Sequence, residues 1–397
     1  FMIALPPTAF ATGFTATLTA CDGSTAQLST AKANPINRSK IKAMPALDVA
    51  FTSIIPDMSA AINLSETEPA NSYIVSEGGV YKFSTVKGNS TDGVGDVAST
   101  EVLWETFGTD VTPNVGDLIV GTRYEDGYIA FKTAETFKEG NAVIAAKDAS
   151  GTILWSWHIW LTDQPQEQVY YNNAGTMMDR NLGATSATPG DVGALGLLYQ
   201  WGRKDPFLGS SIIGNSTLAE STITWPSPVS TSSSSGTVSY VTANPTTFVY
   251  GCSSSLYDWH YSSRDNTLWT TSDKEKSIYD PCPSGWRVPD GGDNGVWSKA
   301  LGSGDYFTDY PYDTTNECMN FSGRFGSVST IWYPASGYRS YDGGSLYYVG
   351  NRGYYWSASP AYYDAYYLRF YSNGSVYPLS SDSRAYGCSV RCLQESK

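Results

Sequence analysis

One stretch of this chain alternates its side chains with a period of two, the mark of an extended strand. In Ala365-Tyr366-Tyr367-Leu368-Arg369-Phe370-Tyr371, that period sets Tyr366, Leu368 and Phe370 against Tyr367, Arg369 and Tyr371. The first set reads as buried and the second as an exposed row. Val376 repeats the pattern, with Ser375 and Tyr377 on the opposite side. Small or stiff residues punctuate the stretch: Gly350, Gly353, Trp356-Ser-Ala-Ser359, Gly374, Pro378 and Gly387. It therefore reads as short strands between tight turns.

The composition of the same stretch is unusual. Residues 340–386 hold twelve of the chain's 29 tyrosines and neither Lys nor Glu. Tyr, Ser, Gly, Asp and Asn supply 31 of its 47 positions, which is close to the chemistry of an antibody paratope. Tyrosine offers a large amphipathic contact with only two torsions to freeze, while Ser, Gly and Asn adapt their hydrogen bonds. Tyr347-Tyr348, Asn351-Arg352, Tyr362-Tyr363-Asp364 and residues 379–383 serve no core. A rigid scaffold displaying adaptable loops is a common plan for a recognition surface. The plainer alternative is an ordinary tyrosine-rich β surface.

Several motifs carry a resemblance. Asp280-Pro-Cys-Pro-Ser-Gly-Trp-Arg-Val-Pro289, Tyr333-Pro-Ala-Ser-Gly-Tyr-Arg339, Tyr355-Trp-Ser-Ala-Ser359 and Ser389-Val-Arg-Cys392 are similar to the Fibrobacter succinogenes major paralogous domain. That family resembles the C-type lectin fold. Asp179-Arg-Asn-Leu-Gly-Ala184 and Tyr199-Gln-Trp-Gly-Arg-Lys-Asp205 resemble its opening motifs, so the likeness runs over residues 169–394. It implies a disulfide between Cys282 and Cys392. Residues 340–386 further resemble the variable region of proteins diversified by retroelements. Matched position by position, that likeness implies ligand contacts at Tyr341, Tyr347, Tyr348, Arg352, Tyr354, Tyr362, Tyr363, Asp364, Tyr367, Arg369, Tyr371, Tyr377, Ser380, Asp382, Ser383 and Tyr386.

At 397 residues the chain is too long for one core and suggests two or three domains. A formal charge of −13 argues against nucleic acid or an anionic membrane as partner. No apolar run approaches the length of a membrane span; the most apolar, residues 153–161, contains His158. Six cysteines stand at positions 21, 252, 282, 318, 388 and 392, and none forms a Cys-x-x-Cys pair. With two histidines in the chain, no zinc site is expected. Apart from the implied Cys282–Cys392 bond, the pairing of the cysteines stays open. A disulfide fits an exported protein.

The fold class expected is mainly β with an α+β C-terminal domain. Residues 1–51 carry strand-like runs such as Phe14-Thr-Ala-Thr-Leu-Thr-Ala20 but few large apolar side chains. Phe1-Met-Ile-Ala-Leu-Pro-Pro7 and Arg38-Ser-Lys-Ile-Lys-Ala-Met44 resemble the closing strands of a Bacteroidetes fimbrillin, a pilus subunit, which implies a fragment of a longer chain. Residues 65–163 read as about seven short strands at sandwich spacing, an Ig-like spacer. Within Ile153-Leu-Trp-Ser-Trp-His-Ile-Trp-Leu161, Trp155 and Trp157 share a face and read as core. Residues 165–397 form the lectin-like domain, with helices expected at 195–203 and at 296–301, the latter opened by Asn294. Residues 227–244 read as a flexible polar loop.

Enzyme chemistry finds no support. His158 and His260 lie in Trp-rich contexts without a nucleophile motif beside them. Asp290-Gly-Gly-Asp-Asn-Gly295 superficially suggests a calcium loop, but Gly292 and Leu301 occupy positions that need oxygen ligands, so it reads as a turn. The calcium and sugar motifs of true C-type lectins are absent. The expected function is non-covalent: a cell-surface adhesin at a pilus tip, extracellular, binding a protein or glycan through its tyrosine-rich face and meeting other pilus subunits through its N-terminal segment. No cofactor is called for. The alternatives are a calcium-independent glycan-binding module, or a structural pilin without a ligand.

Overall fold

The computed structural model describes residues 8–20, 23–37, 50–55, 57–251, 258–261, 264–271, 273, 275–302 and 304–395. The two fimbrillin-like motifs at 1–7 and 38–44, with Cys21 and Cys252, lie outside them. The chain is mainly β, with 38% of residues in strands and two short α helices among those described. No helix among them is long and apolar enough to cross a membrane.

Near the N-terminus two hairpins nest: Phe14–Thr19 pairs with Thr25–Thr30, and outside them Thr8–Phe10 pairs with Asn34–Ile36. Residues 62–161 then fold as two four-stranded sheets. Phe83 and Phe131 from one sheet interlock with Tyr73, Ile144, Trp157 and Ile159 from the other in a single core. Trp155 and Trp157 both lie in this core, as their alternation implies. The strand Ile153–Leu161 also packs on its opposite face, where Trp160 joins Trp104 and Val143 against the C-terminal region. A strand covered on both sides needs apolar residues on both, which is why this run alternates only in part.

That second covered face forms the junction with the rest of the chain. The Trp160 indole donates to the Ala184 carbonyl at 2.9 Å, and Asn71 Nδ2 donates to the carbonyls of Ile278 and Asp280, each at 2.8 Å. Lys204 Nζ, almost wholly buried, donates to Asp205 and to Ser156 of the sandwich. A buried amine is tolerable only with such partners.

In the C-terminal region, strands from both of its ends share one sheet, ordered Glu167–Tyr170, Gly175–Met178, Leu393–Gln394 and Trp286–Arg287. Beside it Cys282 and Cys392 are disulfide-bonded across 110 residues of sequence. Closing a loop of that size stabilises by about 4–5 kcal/mol in the chain-entropy model. Cys318 and Cys388 are free and buried. The largest sheet has seven strands. Six run in the order Leu346–Tyr347, Tyr338–Arg339, Gly387–Ser389, Arg352–Ala361, Asp364–Tyr371 and Val376–Asp382, and Leu198–Gln200 pairs with the third.

Three local expectations are corrected. Residues 195–203 are not a helix. A 3-10 turn at Val192–Ala194 is followed by the strand Leu198–Gln200, whose Tyr199 and Trp201 neighbours are taken up by the core. Local propensity yields there to sheet pairing. Residues 227–244 are not simply a loop, because they hold the strand Val229–Ser230 and helix α1, Val238–Ala243, capped by the Thr237 side chain. Helix α2 does span Val296–Leu301, but Gly295 rather than Asn294 precedes it, with no side-chain cap. Asp290 pairs with Arg287 at 2.6 Å, in the turn that leads to this helix.

A tyrosine and arginine face on the seven-stranded sheet

The hairpin Arg352–Ala361 and Asp364–Tyr371 lies inside the large sheet, so each of its faces has a separate fate. One face carries Tyr355, Leu368, Phe370 and Val376 into a core with Trp297, Phe321 and Tyr333. The other carries, from one end of the hairpin to the other, Arg352, Tyr354, Trp356, Ala365, Tyr367, Arg369 and Tyr371. Side chains near the hairpin tip on this second face are buried, while those near its open end reach the surface.

At the open end the second face holds a continuous aromatic network. Tyr338 is its hub, with ring centres 4.9 Å from both Tyr354 and Tyr386, 5.8 Å from Tyr348 and 6.2 Å from Tyr347. Tyr341 extends it beyond Tyr386 at 5.0 Å. Arg352 lies over the rings of Tyr348 and Tyr371, and Arg369 over those of Tyr371 and Tyr377. Tyr306 closes the row, 4.8 Å from Tyr377. These groups come from five of the six strands of the main path, with Tyr386 just before the remaining one, a width of about 24 Å at ordinary strand spacing.

Nine of the sixteen expected contact residues therefore come together: Tyr341, Tyr347, Tyr348, Arg352, Tyr354, Arg369, Tyr371, Tyr377 and Tyr386. Tyr347 and Tyr348 are the most exposed of them, at 48% and 43%. Tyr354 is buried, so it shapes the face from below. Tyr362, Tyr363 and Asp364 form a separate group at the hairpin tip, roughly 30 Å along the strands from Arg352. There Tyr362 donates to the Tyr363 hydroxyl at 2.9 Å, and the Arg264 guanidinium lies 3.3 Å from the centre of the Tyr363 ring. Ser380 and Asp382 are half-buried on the edge strand, beside Tyr367.

In the expected exposed row of Tyr367, Arg369 and Tyr371, the last two are half-buried and the first is buried. Tyr367 is 1% exposed, wedged between Trp356 and Tyr354, and its hydroxyl donates to Asp382 at 3.3 Å. Tyr366, expected to be buried, is half-buried. The alternation is right, but the sheet's neighbours decide what covers each end of a strand. Ser383 is also buried, at 4%. Buried Tyr367 and Ser383 have no surface for a ligand. Tyr338, Tyr306 and Arg264 belong to the two clusters without having been singled out from the sequence. Tyr338 sits in a framework motif and faces Tyr347 across a strand pair; Tyr306 and Arg264 reach their clusters only by folding.

The electrostatics suit recognition by neutral hydroxyls. Burial pushes the Tyr354 hydroxyl up to about 12, and it also raises Tyr338 and Tyr386. All three remain protonated at neutral pH, able both to donate and to accept. Burial likewise raises the Cys388 thiol, which lies in the core below these rings and is not poised as a nucleophile. Elsewhere, a cleft of about 470 Å³ lies between Asn266, Thr270, Asp290, Asn294, Lys299 and Ser359, and no tyrosine lines it. Among the described residues no group of three or more His, Cys, Asp or Glu could hold a metal ion.

Comparison with known proteins returns no match, whether to a family model, a curated protein or a solved structure.

Proposed function

We propose that this chain is a recognition protein of the bacterial cell surface, an adhesin at a pilus tip, that binds a protein ligand through the tyrosine and arginine face. In this reading residues 165–397 are a C-type-lectin-like domain whose loops are diversified, and residues 65–163 are an Ig-like support. The observation that carries it is the partly exposed aromatic network on one face of the large sheet, held over a packed core. Tyr and Arg are the residue types most enriched at binding hot spots. The disulfide supports export, and the firm junction with the sandwich supports presentation of the face at a fixed angle.

The test is a binding screen of the purified chain against host and bacterial surface proteins and against glycans, with and without calcium. Retention of protein ligands independently of calcium is expected. Retention of glycans alone makes the chain a calcium-independent lectin, and binding to nothing but copies of pilus subunits makes it a structural pilin.

A further inference from the structure

Resting on that reading, we propose that the ligand presents a carboxylate, from an acidic segment of a partner protein, between Arg352 and Arg369. Both guanidiniums lie against the ring of Tyr371, with centres 4.8 Å and 5.1 Å from it. A second ring holds each from another side: Tyr348 for Arg352 at 3.7 Å and Tyr377 for Arg369 at 4.5 Å. Neither arginine forms an ion pair with any described residue. The one hydrogen bond of the Arg352 side chain among the described residues is a 3.4 Å contact to the Tyr354 hydroxyl. The Arg369 Nε is shielded from solvent and has no partner.

These are two charged forks, held against aromatic rings and left without a carboxylate partner among the described residues. Arg123, Arg180 and Arg287 each pair with a carboxylate of the chain, and Arg203, Arg339, Arg384 and Arg391 donate to carbonyl or amide oxygens. A planar fork held on a ring loses little freedom when a carboxylate docks, and it bonds that group through two parallel donors. Asp382 feels the charge of Arg369 but forms no ion pair with it, and its carboxylate accepts from the Tyr367 hydroxyl and the Ser383 amide.

Two observations favour a protein segment over other anions. The net charge of −13 repels polyanions as a class and leaves room for one or two carboxylates at a local cationic point. Neither the cleft beside Asn266 and Lys299 nor the small pocket beside Asn141 and Gly193 is lined by any residue of the network. Small ligands and sugars are usually held in concave sites, whereas protein partners dock on broad tyrosine-rich faces.

The experiment is an array of short peptides carrying one or two Glu or Asp, each beside its Gln or Asn counterpart, with sialylated glycans in a parallel arm. The chain, Arg352→Gln, Arg369→Gln and a Tyr347→Ser/Tyr371→Ser double variant are compared. The chain is expected to retain a subset of acidic peptides and to lose about tenfold or more in affinity for their amide counterparts. The two Gln variants should show the same loss while melting normally. Arg352→Lys, which keeps the charge but not the fork, should fall between. Equal binding of acidic and amide peptides, undiminished binding by both Gln variants, retention of the glycans alone, or no retained peptide would overturn the proposal. If the Tyr variant loses a ligand that both Gln variants keep, the recognition face stands and the carboxylate does not. If the Tyr variant also keeps it, the face itself is wrong.

Discussion

Tyr362 shows in one residue what distinguishes a displayed side chain from a structural one. It is 80% exposed and adopts φ 52°, a left-handed conformation that suits Gly or Asn at a two-residue hairpin tip. A bulky residue there strains the turn, and such strain tends to gather at functional sites. Replacing it with glycine should leave stability unchanged or raise it by about 1 kcal/mol. A lower melting temperature for Tyr362→Gly would instead make the ring a structural prop. The opposite behaviour is expected at Tyr367, where substitution by Ser should cost about 3 kcal/mol in urea denaturation. The same change at Tyr371 should cost less than about 1 kcal/mol. Similar losses at both positions would contradict the burial difference between them. The alternation around Tyr367 was legible from the sequence, but its burial was not. Trp356 and Tyr354, which cover it, come from the neighbouring strand, and no local pattern encodes that cover.

Among the elements, the strand Ile153–Leu161 joins the sandwich to the C-terminal region and carries a titrating group into that junction. Burial pushes His158 down to about 3, so it is neutral. Its Nε2 faces Asn141 Oδ1 at 2.9 Å and its Nδ1 faces the Ser72 hydroxyl at 3.0 Å. The first contact requires Nε2 to donate and the second lets Nδ1 accept. Its folded pKa lies below the ordinary value near 6.5. The stability it supports is therefore complete above that pH and is lost as pH falls toward 3, by about 1.4 kcal/mol per unit. Burial pushes Asp280 up to about 6, and its contribution has the opposite sign: present below the ordinary carboxylate value and lost as pH rises through 6. Because the two oppose each other, the clean measurement is a difference. The stability gap between the native chain and His158→Gln, followed by chemical denaturation, should shrink by that slope below pH 6.5. A gap independent of pH would show that His158 is already charged or accessible. This strand could be read from the sequence because its apolar run is long and β-branched residues and tryptophans fill it. The run at 195–203 could not, because its residues face a core assembled from distant strands.

At the scale of the whole molecule, Trp104, Val143 and Trp160 of the sandwich belong to the same core as Trp201, Trp259 and Trp356. The sandwich and the C-terminal region should therefore melt together. One calorimetric transition is expected from residues 62–395, and two well-separated transitions would contradict a shared core. Reducing the Cys282–Cys392 bond should lower the stability of that unit by about 4–5 kcal/mol. The mainly-β class was legible, since it rests on local composition and period. The division of the sixteen candidate residues into a broad face and a distant hairpin tip was not, since strand order and the length of one hairpin set it. The central claim is that the broad face binds and the core beneath it only supports. It is tested most directly by measuring ligand affinity and melting temperature together for a Tyr347→Ser/Tyr348→Ser/Tyr371→Ser/Tyr377→Ser variant, with Trp356→Ala as a control. The quadruple variant should melt close to the native chain and bind the screened ligand about thirtyfold more weakly or worse, while Trp356→Ala should lose roughly 3–5 kcal/mol of stability. Native-like affinity in a folded quadruple variant would contradict the account.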